Sequence, residues 1–433
     1  MIWNEKIECM APQELKNLQE ERLRDVVRYV YKNCARYRHK LDNHGVTPQD
    51  VVHLDDIKKL PFTTKDDLRD SYPFGLFSVP QDKIAEIHVS SGTTGNPTVV
   101  GYTKDDLQLW GEVMARAFCC AGAVPGDKIQ IAYGYGLFTG GLGSHYGSLA
   151  MGLSIIPCSS GQTKRQLKLL NDFKPRILAC TPSYCLYMVE EAKELGMDPL
   201  KSSWEIGVFG AEPWSEAMRK EIEKSWNILA TDVYGLSEII GPGVAQECKH
   251  KKGLHLFSDV FYPEVIDPKT GKEVRPGERG ELVITTLTKQ AFPLLRYRTR
   301  DIVSLNAERC ACGRTSPRIS KISGRTDDMI IVRGINVFPS QIEHVLLGIE
   351  GTKPHYQLIV DRKAGELDEL EVLVEVEEKI FSDEIKQLRL LEERIRREID
   401  SVLGVNARVR LVEPKTIERS EGKAKRVIDK RVM

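Results

Sequence analysis

The chain has 433 residues, 41% hydrophobic and 29% charged, and is long enough to bury a large core in two or three domains. Lys plus Arg and Asp plus Glu balance at 62 each, so no overall field favours nucleic acid or an acidic membrane. No apolar run reaches the roughly 20 residues that span a bilayer, and MIWNEKIECM lacks the pattern of a secretion signal. The 10 cysteines are mostly scattered through apolar segments, so we expect reduced thiols and a cytoplasmic protein.

Helical and β-prone segments alternate over most of the chain. Residues 14–41 carry apolar side chains at helical spacing, which predicts a helix near the N-terminus. From about 84 to 300, short β-prone runs that end in small or polar residues alternate with helix-like segments. This alternation is typical of a parallel α/β sheet whose functional loops follow the strands. The runs are IQIAYGYG at 129–136, LSIIPCSS at 153–160, RILACTPS at 176–183 and IGVFGAEP at 206–213, and the helices include 163–173 and 215–225.

A different pattern begins near residue 259. The sequence VFYPEVIDPKTGKEVRPGERGELVITTL alternates and turns at Pro and Gly, which predicts an antiparallel β unit. Residues 327–433 predict a helix at QIEHVLLGI, strands at YQLIVD and LEVLVEVE, a helix over 383–402 after Ser382, and a strand at ARVRLVEP. The predicted fold class is α/β, with mixed, mostly parallel sheets and an antiparallel unit in a large domain over 1–326, and a small α+β domain over 327–433.

The stretch VSSGTTGNPT at 89–98 lies between β-prone residues, which predicts a loop between two strands. Its small residues let backbone N–H groups turn inward and its hydroxyls add donors, which suits an anion; an ordinary hairpin turn is the alternative. It is not a Walker loop, because no Lys follows the second glycine. The candidate ligand-binding residues are Ser90, Ser91, Gly92, Thr93, Thr94 and Gly95.

Four metal donors flank the predicted antiparallel unit. Cys248 and His255 precede it, and Cys310 and Cys312 follow it. Three thiolates and one imidazole suit a closed tetrahedral zinc site of the structural type. His250 competes with His255 for the fourth position, and buried free thiols beside a surface histidine are the alternative.

Four further stretches, each weak alone, carry a resemblance to a known family. They are YGLSE at 234–238, RYRTRD at 296–301, GRTDDMIIVRGINVFPSQIE at 324–343 and SEGKAKR at 420–426. In this order, with SSGTTG first, they resemble the core motifs of the adenylate-forming superfamily of acyl-CoA synthetases, adenylation domains and firefly luciferase. The stretches AEPW at 211–214, YGYGLFTGG at 133–141 and CACGRT at 310–315 bring the resemblance closest to the phenylacetate–CoA ligase family, over essentially the whole chain.

The resemblance implies an acid–thiol ligase that works in two steps. A carboxylate attacks the α-phosphorus of ATP to give an acyl-adenylate and pyrophosphate, and the CoA thiol then displaces AMP. The resemblance also implies that the small domain rotates about Asp327 between the steps and that Lys423 serves the first. Many relatives have Pro-Lys after the second glycine of the loop, whereas this chain has Pro97 and Thr98. Charge on the β- and γ-phosphates, held by the 90–95 loop, must therefore be neutralised by Mg²⁺ or another residue.

The resemblance assigns a nucleotide site with two catalytic residues, Lys423 and Glu238. Tyr234 would stack on adenine, with an ordinary core aromatic as the alternative, and Glu238 would hold Mg²⁺. Asp301 and Arg325 would bind the ribose. The remaining residues of the predicted site are Gly210, Ala211, Glu212, Pro213, Asp232, Gly235 and Ser237.

The run YGYGLFTGGLGSHYG at 133–147 mixes aromatic residues with glycines. Tyr133, Tyr135 and Phe138 would wall a flat apolar pocket, with Gly141 leaving space for a ring. Close packing of a buried strand end is the alternative. The implied substrate is a small aromatic acid, with phenylacetate, indoleacetate, hydroxyphenylacetate and benzoate all open.

Two other functions remain open from the sequence. One is an adenylation enzyme that loads an aromatic acid onto a carrier protein, and the other is a catalytically dead scaffold that binds nucleotide or zinc. The presence of Glu238, Asp301, Arg325 and Lys423 disfavours the scaffold. The expected partners are the acid, ATP and CoA, with no nucleic acid and no membrane; relatives are often dimers, so a homodimer is one expectation.

Overall fold

The computed structural model describes most of the chain, in two compact units. It describes residues 1–90, 97–322, 324–325, 330–332, 335–362, 368–377, 380, 385–419 and 426–431, with the backbone alone at 90, 331, 336, 385 and 386. The first unit comprises Met1–Cys180, Ser202–Ala211 and Ile228–Lys321, and the second comprises Thr181–Lys201, Glu212–Asn227 and Ile322–Met433. None of the helices in the described ranges has the length and hydropathy needed to cross a membrane. The boundary predicted at 326/327 falls outside the described residues and stays a prediction.

The first unit opens with helices α1 Glu5–Glu8, α2 Pro12–Asn33, α3 Ala35–Asn43 and α4 Lys65–Asp70, and 3-10 helices at Pro48–Asp50, Leu54–Lys59 and Gln81–Lys83. The pattern over 14–41 thus forms two helices, because Cys34 is extended (φ −117°, ψ 108°) between them. Strands β1 Glu86–Ser90 and β2 Thr98–Tyr102 follow as an antiparallel pair. They flank the SSGTTG stretch, as predicted, while residues 91–96 lie outside the described residues.

A nine-stranded mixed sheet forms the centre of the first unit. Its strands are β3 Lys128–Ile131, β4 Ser154–Pro157, β5 Ile177–Cys180, β6 Ile206–Gly210, β7 Leu229–Leu236, β8 Gly241–Glu247, β9 Leu254–Leu256, β13 Leu305–Asn306 and β14 Arg318–Ile319. Their order in the sheet is β13-β14-β9-β8-β7-β6-β5-β3-β4. Pairing is parallel from β4 to β7 and antiparallel from β7 to β13. The predicted mixed sheet is therefore confirmed, with its parallel pairs on one side and its antiparallel pairs on the other.

Three helices of the first unit lie between β2 and β5 in the chain, and the antiparallel unit follows them. The helices are α5 Lys104–Ala121, α6 Thr139–Met151 and α7 Thr163–Phe173. Helix α5 begins after Thr103, which accepts from the Asp106 backbone N–H, and ends at Gly122 in the left-handed region (φ 109°). Strands β10 Phe261–Ile266, β11 Gly280–Thr286 and β12 Tyr297–Val303 form a separate three-stranded antiparallel sheet, as the sequence predicts.

Residues near the start of the chain bind residues beyond position 250. Gln19 on α2 donates from Nε2 to the Ser258 carbonyl at 2.8 Å. Glu8 and Arg314 form a buried ion pair, with Arg314 Nε 2.5 Å from Glu8 Oε2, and the Thr315 N–H donates to the Glu8 carbonyl at 3.0 Å. The first two helices are therefore held in place by late parts of the chain.

The second unit contains helices α8 Pro182–Glu194, α9 Glu216–Trp226, α10 Pro339–Leu347 and α11 Ile385–Leu403, and a 3-10 helix at Pro199–Lys201. Strands β15 Ile330–Val332 and β16 Ile335–Val337 form an antiparallel pair. A four-stranded sheet in the order β19-β18-β17-β20 contains β17 Thr352–Asp361, β18 Glu369–Val376, β19 Arg408–Val412 and β20 Val427–Asp429. Side chains of this sheet and of α10 and α11, among them Val372, Leu346 and Ile395, form one buried core, which confirms the predicted α+β region.

Candidate functional site

Three of the predicted nucleotide residues are buried in the first unit, where the YGLSE and RYRTRD motifs contact each other. Tyr234 on β7 donates its hydroxyl to Asp301 Oδ2 on β12 at 2.6 Å, although 67 positions separate them. Glu238 follows the end of β7, and the Tyr297 hydroxyl donates to its Oε1 at 3.4 Å. Tyr234 and Glu238 are each 8% exposed and Asp301 is 3% exposed. Two motifs that are distant in sequence thus meet on adjoining elements.

The geometry of β7 explains the glycine of the YGLSE motif. The pairing of β7 with β8 shifts register between Tyr234 and Gly235. A Cβ at Gly235 would lie 1.9 Å from the Gly241 carbonyl oxygen, so only glycine allows this approach. Next along the chain, the Ser237 and Thr139 hydroxyls lie 2.9 Å apart, which ties the turn to the first residue of α6.

A buried lysine that the sequence analysis did not select supports the same turn. Lys289 donates from Nζ to the Ile239 carbonyl at 2.9 Å, and Nζ lies 4.5 Å from the centre of the Tyr102 ring. Burial lowers the pKa of Lys289 to about 7, although the charges of Asp106 and Glu238 oppose the shift. In the sequence, Lys289 is marked only by its position within the otherwise uncharged stretch TTLTKQAFPLL, and a lysine is usually expected to be exposed to solvent.

The other nucleotide residues fall into three groups. In the first unit, Gly210 and Ala211 end β6, and Ala211 adopts a left-handed φ of 70°, unusual for a residue with a Cβ. Asp232, on β7, donates its backbone N–H to Glu247 Oε2 at 3.1 Å.

In the second unit, Glu212 Oε1 accepts from the Ser183 N–H at 2.8 Å at the start of α8. Pro213 and Arg325 also belong to that unit. Outside the described residues lie Ser91, Gly92, Thr93, Thr94, Gly95, Asp327 and Lys423, and the Ser90 side chain, so their roles stay predictions.

The aromatic and glycine run at 133–147 forms a loop and the start of α6. Tyr133 is buried, with its hydroxyl 3.4 Å from the Val208 carbonyl, whereas Phe138 is 41% exposed. The Tyr135 hydroxyl lies 3.2 Å from His145 Nδ1, and burial lowers the pKa of that histidine. These contacts explain how the loop is held, and the role of the three aromatic residues in binding an acid stays a prediction.

Gly141 permits a close approach between α6 and the preceding loop. A Cβ there would lie 2.5 Å from the Gly134 carbonyl oxygen, a backbone atom that cannot rotate away. A Cβ at the adjacent Gly140 would meet the ring of Phe138 at 2.6 Å, and this exposed ring has room to move. On the side of Gly141 where a side chain would project, the space is therefore occupied by the backbone of Gly134.

Gly141→Ala is therefore expected to shift the 133–138 loop and to lower kcat/KM for an aryl acid by about 10-fold or more. Gly140→Ala is the matched control, because both changes raise helix propensity by about 1 kcal/mol and only one meets backbone. Steady-state kinetics of the two variants test this. Unchanged activity of Gly141→Ala would show that the contact at Gly134 does not position the loop.

Four side chains of types that can bind a metal converge in the first unit. One ligand atom from each of Cys248, His255, Cys310 and Cys312 lies within 4.8 Å of all the others. The Cys248 and Cys310 sulfurs are 3.8 Å apart, close to the separation of about 3.8 Å that a tetrahedral zinc with Zn–S bonds of about 2.3 Å requires. His250 is not part of this group. Strand β9 places His255 opposite Arg318 on β14, which brings its ring to the 310–316 loop.

The surroundings of the four donors suit a metal. The Cys312 sulfur lies 3.3 Å from His255 Nε2, and on the far side of the ring Nδ1 lies 3.3 Å from the Ser316 hydroxyl, a partner that would orient the imidazole. A hydrogen bond from Cys248 lowers the pKa of the Cys312 thiol, with His255 adding to the effect. Both the donor types and their spacing fit zinc. Ser316, the hydrogen-bond partner of His255, was not predicted from the sequence.

Comparison with known families agrees with this arrangement of motifs. Residues 26–288 match the family model described as AMP-binding enzyme, and residues 334–431 match the one described as AMP-binding enzyme C-terminal domain. The chain is similar to the phenylacetate–coenzyme A ligase of Thermus thermophilus, with 50% identity over 445 residues and 100% of both chains covered. It is 49% identical to the Escherichia coli phenylacetate–coenzyme A ligase over 436 residues, covering 100% of this chain and 99% of the other.

A solved structure supports the same assignment. The fold is similar to a crystal structure of 2-hydroxyisobutyryl-CoA ligase in the postadenylation state, in complex with R3-HIB-AMP, with a TM-score of 0.92 and 29% identity. The match covers 98% of this chain and 91% of the other. Since both the sequence and the fold match over nearly the whole length, this chain belongs to the phenylacetate–coenzyme A ligase family of AMP-binding enzymes.

Proposed function

We propose that this protein is an ATP-dependent ligase that joins a small aromatic acid, of the arylacetate class, to coenzyme A. The acid first reacts with ATP to give an acyl-adenylate and pyrophosphate, and the CoA thiol then attacks the acyl carbonyl and releases AMP. The observation that carries the proposal is the buried hydrogen bond of Tyr234 to Asp301, which unites two motifs of a family that the chain matches over its full length.

In the first step, the acid needs no general base, because its carboxylate is already ionised at neutral pH. Tyr234 binds the adenine face, and its hydrogen bond to Asp301 fixes the plane of the ring. Asp301 shares its carboxylate between this phenol and the ribose hydroxyls. Glu238 would hold Mg²⁺, which would neutralise charge on the phosphates. Lys423 places an ammonium where the acid, the α-phosphate and the departing pyrophosphate meet.

In the second step, the C-terminal residues rotate about Asp327, and Lys423 leaves the reacting centre. The loop near residues 330–338 then serves thioester formation. Such alternation lets one compact site present different groups to two successive reactions. A homodimer and a cytoplasmic location remain part of this proposal.

The Cys248, His255, Cys310 and Cys312 cluster is proposed as a structural zinc site. All four donors are needed for a closed tetrahedral site, which leaves no position for a substrate. The cluster ties β9 to the 310–316 loop, so a bound zinc would stabilise the fold instead of taking part in either chemical step.

The proposed function is tested by measuring AMP release across a panel of acids, with ATP, Mg²⁺ and CoA. Phenylacetate, hydroxyphenylacetate, indoleacetate and benzoate are compared with acetate and hexanoate. At least one aryl acid is expected to give a kcat/KM about 10-fold or more above either aliphatic acid. A factor of ten corresponds to about 1.4 kcal/mol, and burial of an aromatic ring in a pocket of matching shape contributes more than this. Preference for short aliphatic acids would contradict the substrate class. AMP formation that requires a carrier protein in place of CoA would favour the adenylation enzyme of the alternative reading.

A further inference from the structure

One carboxylate of the second unit faces an arginine, a lysine and a histidine. Glu190 on α8 has Oε2 3.2 Å from Arg419 Nη2, and Oε1 3.4 Å from His355 Nε2 and 3.6 Å from Lys353 Nζ. Burial alone would raise the pKa of Glu190, but His355, Arg419 and Lys353 lower it to about 2. The carboxylate is therefore charged throughout the physiological range and attracts each of these groups.

Two of these three side chains are on the C-terminal sheet and the third follows one of its strands, whereas Glu190 precedes all three by more than 160 positions. Lys353 and His355 are on β17, and Arg419 follows β19. Arg419 has a second partner within the same sheet, because Nη1 and Nη2 each donate to Glu375 at 2.7 Å. Glu375, on β18, is fully buried. Arg419 thus joins one partner inside the C-terminal sheet to one outside it.

Arg419 also stands at the start of the segment that contains Lys423. The Glu375 carboxylate accepts from the Ile417 N–H at 2.9 Å, so β18 fixes the backbone that leads into this segment. At the far end, the Arg426 guanidinium lies 4.4 Å from the centre of the Tyr356 ring on β17. Arg419 and Arg426, the described residues on either side of 420–425, therefore both contact the C-terminal sheet.

We propose that Glu190 is a positioning residue for the first half-reaction, because it holds the Arg419 end of the Lys423 segment against α8. The proposal rests on the proposed function. The Arg419–Glu375 pair lies within the C-terminal sheet and moves with it, whereas the three contacts to Glu190 must break when the sheet moves away from α8. Glu190 therefore favours the arrangement that serves adenylation and is not needed in the second step.

A neighbouring ion pair provides the matched control. Lys415 and Glu194 also join the C-terminal residues to α8, but about half of each side chain is exposed (55% and 49%). Solvent screens such a pair, and exposed ion pairs contribute little. Glu190 and Arg419 are 22% and 12% exposed, so their interaction is screened much less.

The test compares Glu190→Gln with Glu194→Gln in two assays on the full-length protein. Acid-dependent ATP–pyrophosphate exchange reports the first step, and thioester formation from supplied acyl-adenylate and CoA reports the second. Glu190→Gln is expected to slow exchange by about 5- to 100-fold, the usual size of a coupling between two arrangements, and to leave the second step unchanged or faster. Glu194→Gln is expected to stay within about 2-fold in both.

If Glu190→Gln lowers the rates in the two assays equally, the positioning role is overturned. Glu190 would then contribute only to folding, and the thermal midpoint of the variant would fall as well. No loss in either assay would overturn it as well. Lys353→Met is a milder second variant that leaves Glu190 paired with Arg419 and His355; it should slow exchange alone, by a smaller factor. If the unaltered protein shows no exchange with any acid, the proposed function fails, and this result is distinct from a variant that slows both steps of an active enzyme.

Discussion

Lys423→Ala is expected to slow acyl-adenylate formation by about 10²–10³-fold, the usual cost of losing one preorganised charge at a transition state. The reason is that the ammonium helps most where the acid carboxylate, the α-phosphate and the leaving pyrophosphate crowd together. Thioester formation from supplied acyl-adenylate and CoA is expected to stay within a few-fold of normal. Pyrophosphate exchange and thioester absorbance time the two steps separately.

Two further variants serve as controls for this expectation. Lys425→Ala removes a second lysine of the same segment and should leave both steps nearly unchanged. Asp327→Pro fixes φ near −65° at the proposed pivot and should slow the second step more than the first. Equal damage to the two steps by Lys423→Ala would mean that the lysine is structural or that no rotation occurs, and a large effect of Lys425→Ala would move the catalytic role to that residue.

The second large effect is expected from the metal cluster. Protein purified from zinc-containing medium should carry about one zinc per chain, and Cys310→Ser should abolish its retention. Loss of a ligand costs at least about 100-fold in metal affinity, which removes about 2.7 kcal/mol of stabilisation by bound metal. For a chain of 433 residues, the thermal midpoint should fall by roughly 3 °C, while the KM for ATP changes little.

Cys120→Ser is the matched control for this experiment. Cys120 packs in the same sulfur cluster but is not one of the four donors, and its sulfur lies 3.7 Å from the Gln246 carbonyl. This variant should keep its zinc. Loss of zinc from it would show that the donor set is wrong, and elemental analysis that finds no metal in folded, active protein would exclude the site altogether.

The parts of the fold that follow from local pattern were predictable from the sequence. Helix α7 has the predicted bounds of 163–173, because its apolar spacing is clear and polar loops end it on both sides. The break between α2 and α3 was missed because nothing in the residues near Cys34 marks it, neither Gly nor Pro. Its extended backbone reflects packing of the two helices and not local preference.

Contacts across the sheets could not be predicted in the same way. The choice between His250 and His255 depends on the pairing of β9 with β14, and strand register is not written in local composition. The hydrogen bond from Tyr234 to Asp301 joins strands of two different sheets, so it could not be predicted from the sequence either. Lys289 and Glu190 were missed for a different reason. Charged side chains are usually solvated, so the burial of Lys289 and the partial burial of Glu190 show only in three dimensions.

The contacts of the N-terminal helices determine when the chain can fold during synthesis. Glu8 needs Arg314, and Gln19 on α2 needs Ser258, so neither partner exists until about 260–315 residues have been made. At about 5–20 residues per second, the ribosome takes roughly 15–60 s to supply them. Throughout this time α2 packs against α3 and the 3-10 helices at 48–59, while Glu8 and Gln19 still lack their native partners. The N-terminal helices are therefore expected to become fully protease-resistant only after β14 has emerged.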